Sequence, residues 1–259
     1  IKAHLESSLE ALNLWDEDII ATVRGGGIYY YDTSDGVGNR AVLISEESGA
    51  TGVPSKARVS AVSFPDRHVI LGGTIPLGGS TMDPMLIRWS DQETFNVFTP
   101  TTTNTAGDQR LEIGNKIVTM QPTRDEMLIF TDEAVYGMSF VGAPFIFSFR
   151  LLATGTGAGG KNVVGDADGI VYWMGKNRFF KYDGVIRELP CSVQYFVFNR
   201  MQEDYIDKTV IGHNRKFKEV TWFYVSTSNT AGTTNPEPDS YVTYNYQENV
   251  WAVGTLNRT

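Results

Sequence analysis

The segment Gly155–Asn162, GTGAGGKN, contains two spacings that phosphate chemistry uses. Gly155, Gly157 and Gly160 stand as G-x-G-x-x-G, while Gly155, Gly160 and Lys161 stand as G-x-x-x-x-G-K. Such loops wrap backbone N–H groups around phosphate oxygens where a strand leads into a helix. A strand is expected before this one, over Phe147–Leu152, but the residues after it read VVGDADGI. Asn162 occupies the place where Ser or Thr would hold magnesium, and Gly165 and Gly169 would each cost a helix about 1 kcal/mol relative to alanine. Without a helix there are no convergent N–H groups and no dipole to favour an anion. The segment therefore reads as a flexible connection between two strand units, with its glycines as slack.

The other chemical candidates are incomplete. Asp166, Asp168 and Gly169 open like a calcium loop, but the third carboxylate and the distant bidentate Glu are missing, so a turn is expected. His4, His68 and His213 form no H-x-x-x-H or H-E-x-x-H pattern. His68, between Arg67 and an apolar run, is expected at a strand edge. No G-x-S-x-G elbow is present. The pairs Asp132/Glu133 and Glu203/Asp204 are expected in turns or on a solvated face. Ser90-Asp91 matches part of an Asp-box turn without its Gly and Trp. No catalytic, cofactor-binding or metal-binding residue is assigned. The aromatic residues Tyr29–Tyr31, Trp173, Phe179, Phe180, Trp222–Tyr224, Tyr244, Tyr246 and Trp251 could stack on sugars or bases. In half-buried sheets, such side chains more often fill the space between layers.

The elements that would position these residues are mostly strands. Among 259 residues, 41% are hydrophobic, 12% aromatic and 26 are glycine, which favours many short strands joined by tight turns. Strand-like runs extend from Ile28–Asp32 to Val250–Val253. Helix is scarce; the best case is Ser7–Leu14, where Leu5, Leu9 and Leu12 share one helical face, although a strand fits equally well. Cys191 is the only cysteine, so no intrachain disulfide forms and thiolate zinc sites are not expected. The net charge of −8 argues against a dedicated nucleic-acid binder, which needs a basic face. No apolar run reaches the ~18 residues of a membrane span. The start at Ile1 suggests part of a longer product.

Hydrophobic units begin at Met85, Met127, Ile170 and Glu219, in steps of 42, 43 and 49 residues. A multi-stranded repeat of that length points to a β-propeller, whose blades cover one another's apolar faces. A β-sandwich also gives evenly spaced strands, but the near-equal steps favour the propeller. The expected fold is all-β, one β-propeller-type domain over 1–259 with antiparallel blades near 15–58, 59–108, 109–155, 156–200 and 201–259. An incomplete ring within this chain, closed by residues outside it, is part of that expectation. Long polar loops at Glu46–Ala57, Gly72–Pro84, Thr99–Asp108 and Thr227–Asp239 are expected to be contact surfaces.

Four stretches carry a family resemblance. RGGGIYYYD (Arg24–Asp32), IRWSDQETFNVFTPTTTNTAGDQRL (Ile87–Leu111), VYWMGKNRFFKYDGVIRELPC (Val171–Cys191) and YVTYNYQENVWAVGTL (Tyr241–Leu256) resemble tail structural proteins of short-tailed bacteriophages, of the nozzle, or tail tubular B-type, kind. The similarity runs from about Leu12 to the end. It implies a non-enzymatic virion subunit without cofactors, assembled in the host cytoplasm into a homo-oligomeric ring, a hexamer in nozzle relatives. That ring would meet a tail adaptor protein, carry tail fibres or spikes, close the DNA channel and open for ejection. Viral DNA would pass through without specific binding. The glycine-rich GTGAGGKN is where the chain departs from that family. The competing expectation is a receptor- or glycan-binding propeller; a glycan hydrolase comes third.

Overall fold

The computed structural model describes residues 9–64, 66–229 and 236–256. His4 and residues 230–235 of the last long loop lie outside the described residues. Among the described residues, twenty strands form five four-stranded antiparallel sheets in which strands follow one another in sequence order. The first sheet holds β1 (Leu9–Trp15), β2 (Asp18–Val23), β3 (Ile28–Tyr31) and β4 (Val42–Leu43). The second holds β5 (Ala57–Val62), β6 (Val69–Thr74), β7 (Asp83–Trp89) and β8 (Gly107–Arg110). The third holds β9 (Ile117–Pro122), β10 (Met127–Thr131), β11 (Ala134–Gly142) and β12 (Ile146–Thr154). The fourth holds β13 (Val164–Ala167), β14 (Ile170–Met174), β15 (Phe179–Tyr182) and β16 (Ile186–Leu189). The fifth holds β17 (Val210–Asn214), β18 (Glu219–Tyr224), β19 (Ser240–Asn245) and β20 (Val250–Thr255). Five up-and-down four-stranded sheets are the blades of a β-propeller. A single short helix, α1 (Gln194–Phe198), lies in the described connections.

The residues explain these elements. In β18 every second residue, Val220, Trp222 and Tyr224, is buried, which is the signature of a sheet with one face covered. All of β10 and most of β14 are buried on both faces, as in strands flanked by other layers, so they read as unbroken apolar runs. Asp168 and Gly169 join β13 to β14 with φ of 54° and 81°, and Ala167 pairs with Ile170. Two residues at positive φ are what a tight hairpin demands, and Asp-Gly meets it.

By contact density the chain divides into two compact units, Ile1–Thr131 with Gly137–Arg150 and Asp132–Tyr136 with Leu151–Thr259. Within the first unit, β1 packs on β5 and β5 on β9; within the second, β13 packs on β17. Within each unit, the first strand of one sheet thus meets the first strand of the next. In the first unit Trp15, Ile20, Ile28, Ile44, Val69, Leu71 and Phe98 form a common core. In the second, Phe179 lies 4.9 Å from Trp222 and 4.8 Å from Trp251, and Tyr244 lies 4.6 Å from Trp251. These aromatics fill the space between the fourth and fifth sheets rather than offering a stacking face. No helix among the described residues is long and apolar enough to cross a membrane.

One open alternative is decided and one expectation changes. The segment with three leucines at helical spacing is β1 from Leu9 onward, and it pairs with β2 from Leu9↔Val23 to Trp15↔Asp18. Of the three leucines, Leu12 is 63% exposed. The repeat is also out of phase at its start. Met127, Ile170 and Glu219 each begin the second strand of a sheet, but Met85 lies in the third strand of the second sheet. The long loop between β7 and β8 makes the 42-residue step a coincidence.

Candidate functional site

GTGAGGKN is not slack. The Gly155 and Thr156 N–H groups donate to the Glu133 carbonyl at 2.7 and 3.2 Å, and the Gly159 N–H donates to the Met174 carbonyl at 3.0 Å. The Trp173 indole donates to the Thr156 carbonyl at 2.8 Å, and Ile211 N–H to the Asn162 carbonyl at 2.9 Å. Gly157, Ala158 and Gly160 are buried. A Cβ on Gly160 would lie 2.7 Å from the Ile206 carbonyl oxygen, and one on Gly159 would lie 3.0 Å from the Gly175 carbonyl oxygen. The glycines therefore permit close backbone packing. The segment leads into β13, not a helix, and three of its N–H groups are already engaged.

The Asp168 carboxylate accepts from Lys218 Nζ and from the Tyr246 hydroxyl, both at 2.8 Å. Those two bonds hold its carboxyl below the usual 3.8. His213 Nε2 lies 3.1 Å from the same Tyr246 hydroxyl. Asp168 thus ties the β13–β14 turn to the turns of the fifth sheet. Glu133 pairs with Lys176 at 2.9 Å, and Glu203 and Asp204 are exposed on a 3-10 turn.

His68 stands immediately before β6, at the strand's edge, and is fully buried. Its Nδ1 lies 2.8 Å from Asp66 Oδ2 and its Nε2 lies 3.0 Å from Thr105 Oγ1. The Thr105 hydroxyl donates to Asp91 Oδ1 at 2.8 Å, and the Gln92 N–H donates to Thr105 Oγ1 at 2.7 Å. Both ring nitrogens of His68 are thus engaged, one by Asp66 and one by Thr105, and the ring braces the β5–β6 turn against the β7–β8 loop. Burial pushes the Asp66 carboxyl up, but the hydrogen bonds from His68 and Ser63 outweigh it and hold the group below 3.8. Asp91 is shifted the same way, by Thr105 and Gln92 against burial. Ser90, read as part of an Asp-box, donates to the Thr94 carbonyl at 2.6 Å and receives the Val69 N–H at 2.9 Å. Sequence spacing gave no sign of this brace, because Thr105 comes from the far end of the β7–β8 loop.

Beside the brace, within the first unit, lies an open cleft of about 270 Å³. The β5–β6 turn supplies Ser63, Phe64 and Asp66; the β9–β10 turn supplies Thr123, Arg124, Asp125 and Glu126; β11 and β12 supply Ser139, Phe140 and Phe147. Phe64 is 74% exposed and Phe140 41%. The Phe140 and Phe147 rings meet edge to face with centroids 5.6 Å apart, and Phe147 also meets the His68 ring at 5.0 Å. Thr123 is occupied by the Glu126 backbone, and Glu126 by Arg150 at 3.3 Å. Among the described residues, no hydrogen bond occupies the side chains of Arg124, Asp125 or Ser139. No cluster of three or more His, Cys, Asp or Glu residues disposed to hold a metal occurs among the described residues.

No protein-family model matches the chain, and no curated protein matches it. Solved structures similar to it include Hsv2 from Kluyvelomyces marxianus, at 9% identity and a TM-score of 0.48 over 94% of this chain and 64% of that one. AztD from Citrobacter koseri, in its apo form, is similar at 10% identity and a TM-score of 0.45, over 96% of this chain and 71% of that one. A mutant of the Synechocystis apocarotenoid oxygenase is similar at 8% identity and a TM-score of 0.44, over 94% and 58%. The chain spans less than two thirds of the length of the first and third of these proteins.

Proposed function

We propose that this chain is a non-enzymatic structural subunit of a bacteriophage tail, part of a distal nozzle ring that closes the DNA channel, carries fibres or spikes, and opens for ejection. The observation that carries this reading is the resemblance of four stretches to that family. Each stretch falls within a single sheet: Arg24–Asp32 around β3, Ile87–Leu111 from β7 through β8, Val171–Cys191 across β14–β16, and Tyr241–Leu256 across β19–β20. Support also comes from the residues with chemical potential. The GTGAGGKN backbone, Asp168 and the His68 brace are engaged in internal hydrogen bonds, as suits a mechanical part.

The net charge of −8 fits a subunit beside a DNA path. Acidic surfaces do not hold phosphates, whereas basic ones bind duplex DNA non-specifically at ~10⁻⁴–10⁻⁶ M and would slow its passage. Imaging intact particles tests the whole reading. The expected result is several copies of this chain in a ring at the distal tail, in contact with an adaptor and with fibres. Finding it outside the tail, or as a single copy, would overturn the proposal. Salt-sensitive, tight binding of the assembled ring to duplex DNA would remove the acidic-lumen part alone.

A further inference from the structure

We propose that the cleft between the β5–β6 and β9–β10 turns is a binding subsite for one neutral sugar ring of a polysaccharide. Three aspects of its chemistry select that class. Its walls include Phe64 and Phe140, both partly exposed, which offer apolar ring surfaces to the C–H face of a pyranose. Its polar groups are of both kinds: Arg124 can only donate, Asp125 can only accept, and Ser139 can do either. A ring of hydroxyls, each both donor and acceptor, satisfies all three. Asp66 is already bonded by Ser63 and His68, and Glu126 by Arg150, which leaves Arg124 to repel a cation and Asp125 to repel an anion, so neither charge is strongly favoured.

Size points the same way. At about 270 Å³ the cleft is smaller than the ~300–1,000 Å³ typical of sites for drug-sized ligands, which suits one ring of a longer chain in an open trough. The rigidity of the site has a structural source. Asp66 is fixed by Ser63 and His68, and Phe147 packs against the His68 ring, so the cleft floor is set before a ligand arrives. This inference stands whether or not the chain is a tail subunit, because it uses only residues of the first unit.

The test is saturation-transfer NMR on the full chain with four probes: methyl α-D-glucopyranoside, methyl α-D-mannopyranoside, methyl β-D-galactopyranoside and N-acetylglucosamine. At least one is expected to bind saturably with a Kd of ~1–10 mM, as befits a single ring. Phe64→Ala and Asp125→Asn, both at exposed positions, should each weaken it about 10-fold or more while leaving the thermal transition unchanged. Saturable binding by none of the four below ~50 mM would overturn the proposal. So would sugar binding indifferent to both variants, or displacement of the sugar by tetramethylammonium or inorganic phosphate at equal concentration.

Discussion

The indole Nε1–H of Trp173 donates to the Thr156 carbonyl oxygen at 2.8 Å, fastening the GTGAGGKN segment to the middle of β14. The same device recurs elsewhere. Trp89 donates to the Thr105 carbonyl, Trp222 to the Val163 carbonyl and Trp251 to the Pro190 carbonyl, at 2.8 to 2.9 Å. A strand residue large enough to fill the core thus spends its one polar atom on a neighbouring connection. Trp173→Phe keeps most of the volume and leaves the Thr156 carbonyl without this donor. It should cost about 1–2 kcal/mol in chemical denaturation and speed amide exchange at Gly159 relative to β14. Unchanged exchange at Gly159 would mean the indole bond does not hold the segment.

The packing of that segment predicts unequal costs for its glycines. Gly160→Ala places a methyl group 2.7 Å from backbone of Ile206, which should destabilise the protein by about 1–3 kcal/mol. Gly155→Ala meets nothing within 4 Å and suffers only its φ of 70°, at about 1 kcal/mol. Urea midpoints in the reverse order would show the segment to be looser than its contacts imply.

The His68 brace makes a signed pH prediction. Because the Asp66 carboxyl is held below its usual 3.8 in the folded chain, its contribution is complete above that value and is lost as pH falls through the lowered one. Asp66→Asn removes the charged acceptor for His68 and should cost about 2–4 kcal/mol at pH 7. The cost should shrink as pH falls through that lowered value, so the variant's stability profile is flatter on the acid side. Parallel profiles for the two proteins would exclude the coupling.

Burial pushes the Cys191 thiol up to about 11. At neutral pH its thiolate is then roughly 100-fold scarcer than in an ordinary cysteine, and the thiolate is the reactive form. Maleimide labelling of the folded chain should be slower by about that factor than labelling in urea. Equal rates would place the sulfur in solvent.

Residues 230–235 lie in the loop proposed as an assembly contact. Replacing them with two glycines should leave the fold intact, provided Asp239 is kept. That carboxylate accepts the Ser226 N–H and hydroxyl, both at 2.7 Å. The proposed tail role predicts fewer copies per particle, counted by quantitative mass spectrometry of virions. Normal incorporation would remove this loop from the interface.

What the sequence made legible follows burial. Strands covered on both sides, such as β10 and β14, announce themselves as runs of apolar residues. Outer strands do not: β8 is Gly-Asp-Gln-Arg and β16 is Ile-Arg-Glu-Leu, polar along an exposed edge, and neither was expected. β13 hid just after the glycine-rich segment, where Asp166, Asp168 and Gly169 were read together as a turn. The aromatic filling between the fourth and fifth sheets was readable from composition. The brace and the cleft were not, since Asp66, Thr105, Arg124 and Phe140 come from different turns and strands, and no fixed spacing links them.

The polar composition of β8 and β16 has a further consequence. An unpaired strand edge is a template on which another chain can add a strand, and charged side chains are a common deterrent. Asp108 and Arg110 stand exposed along one such edge, Arg187 and Glu188 along the other. Copies of this chain crowded together at high local concentration are thereby discouraged from fusing into a continuous sheet at those edges. Contacts between copies there would be made by side chains, and could be released without unzipping a backbone ladder.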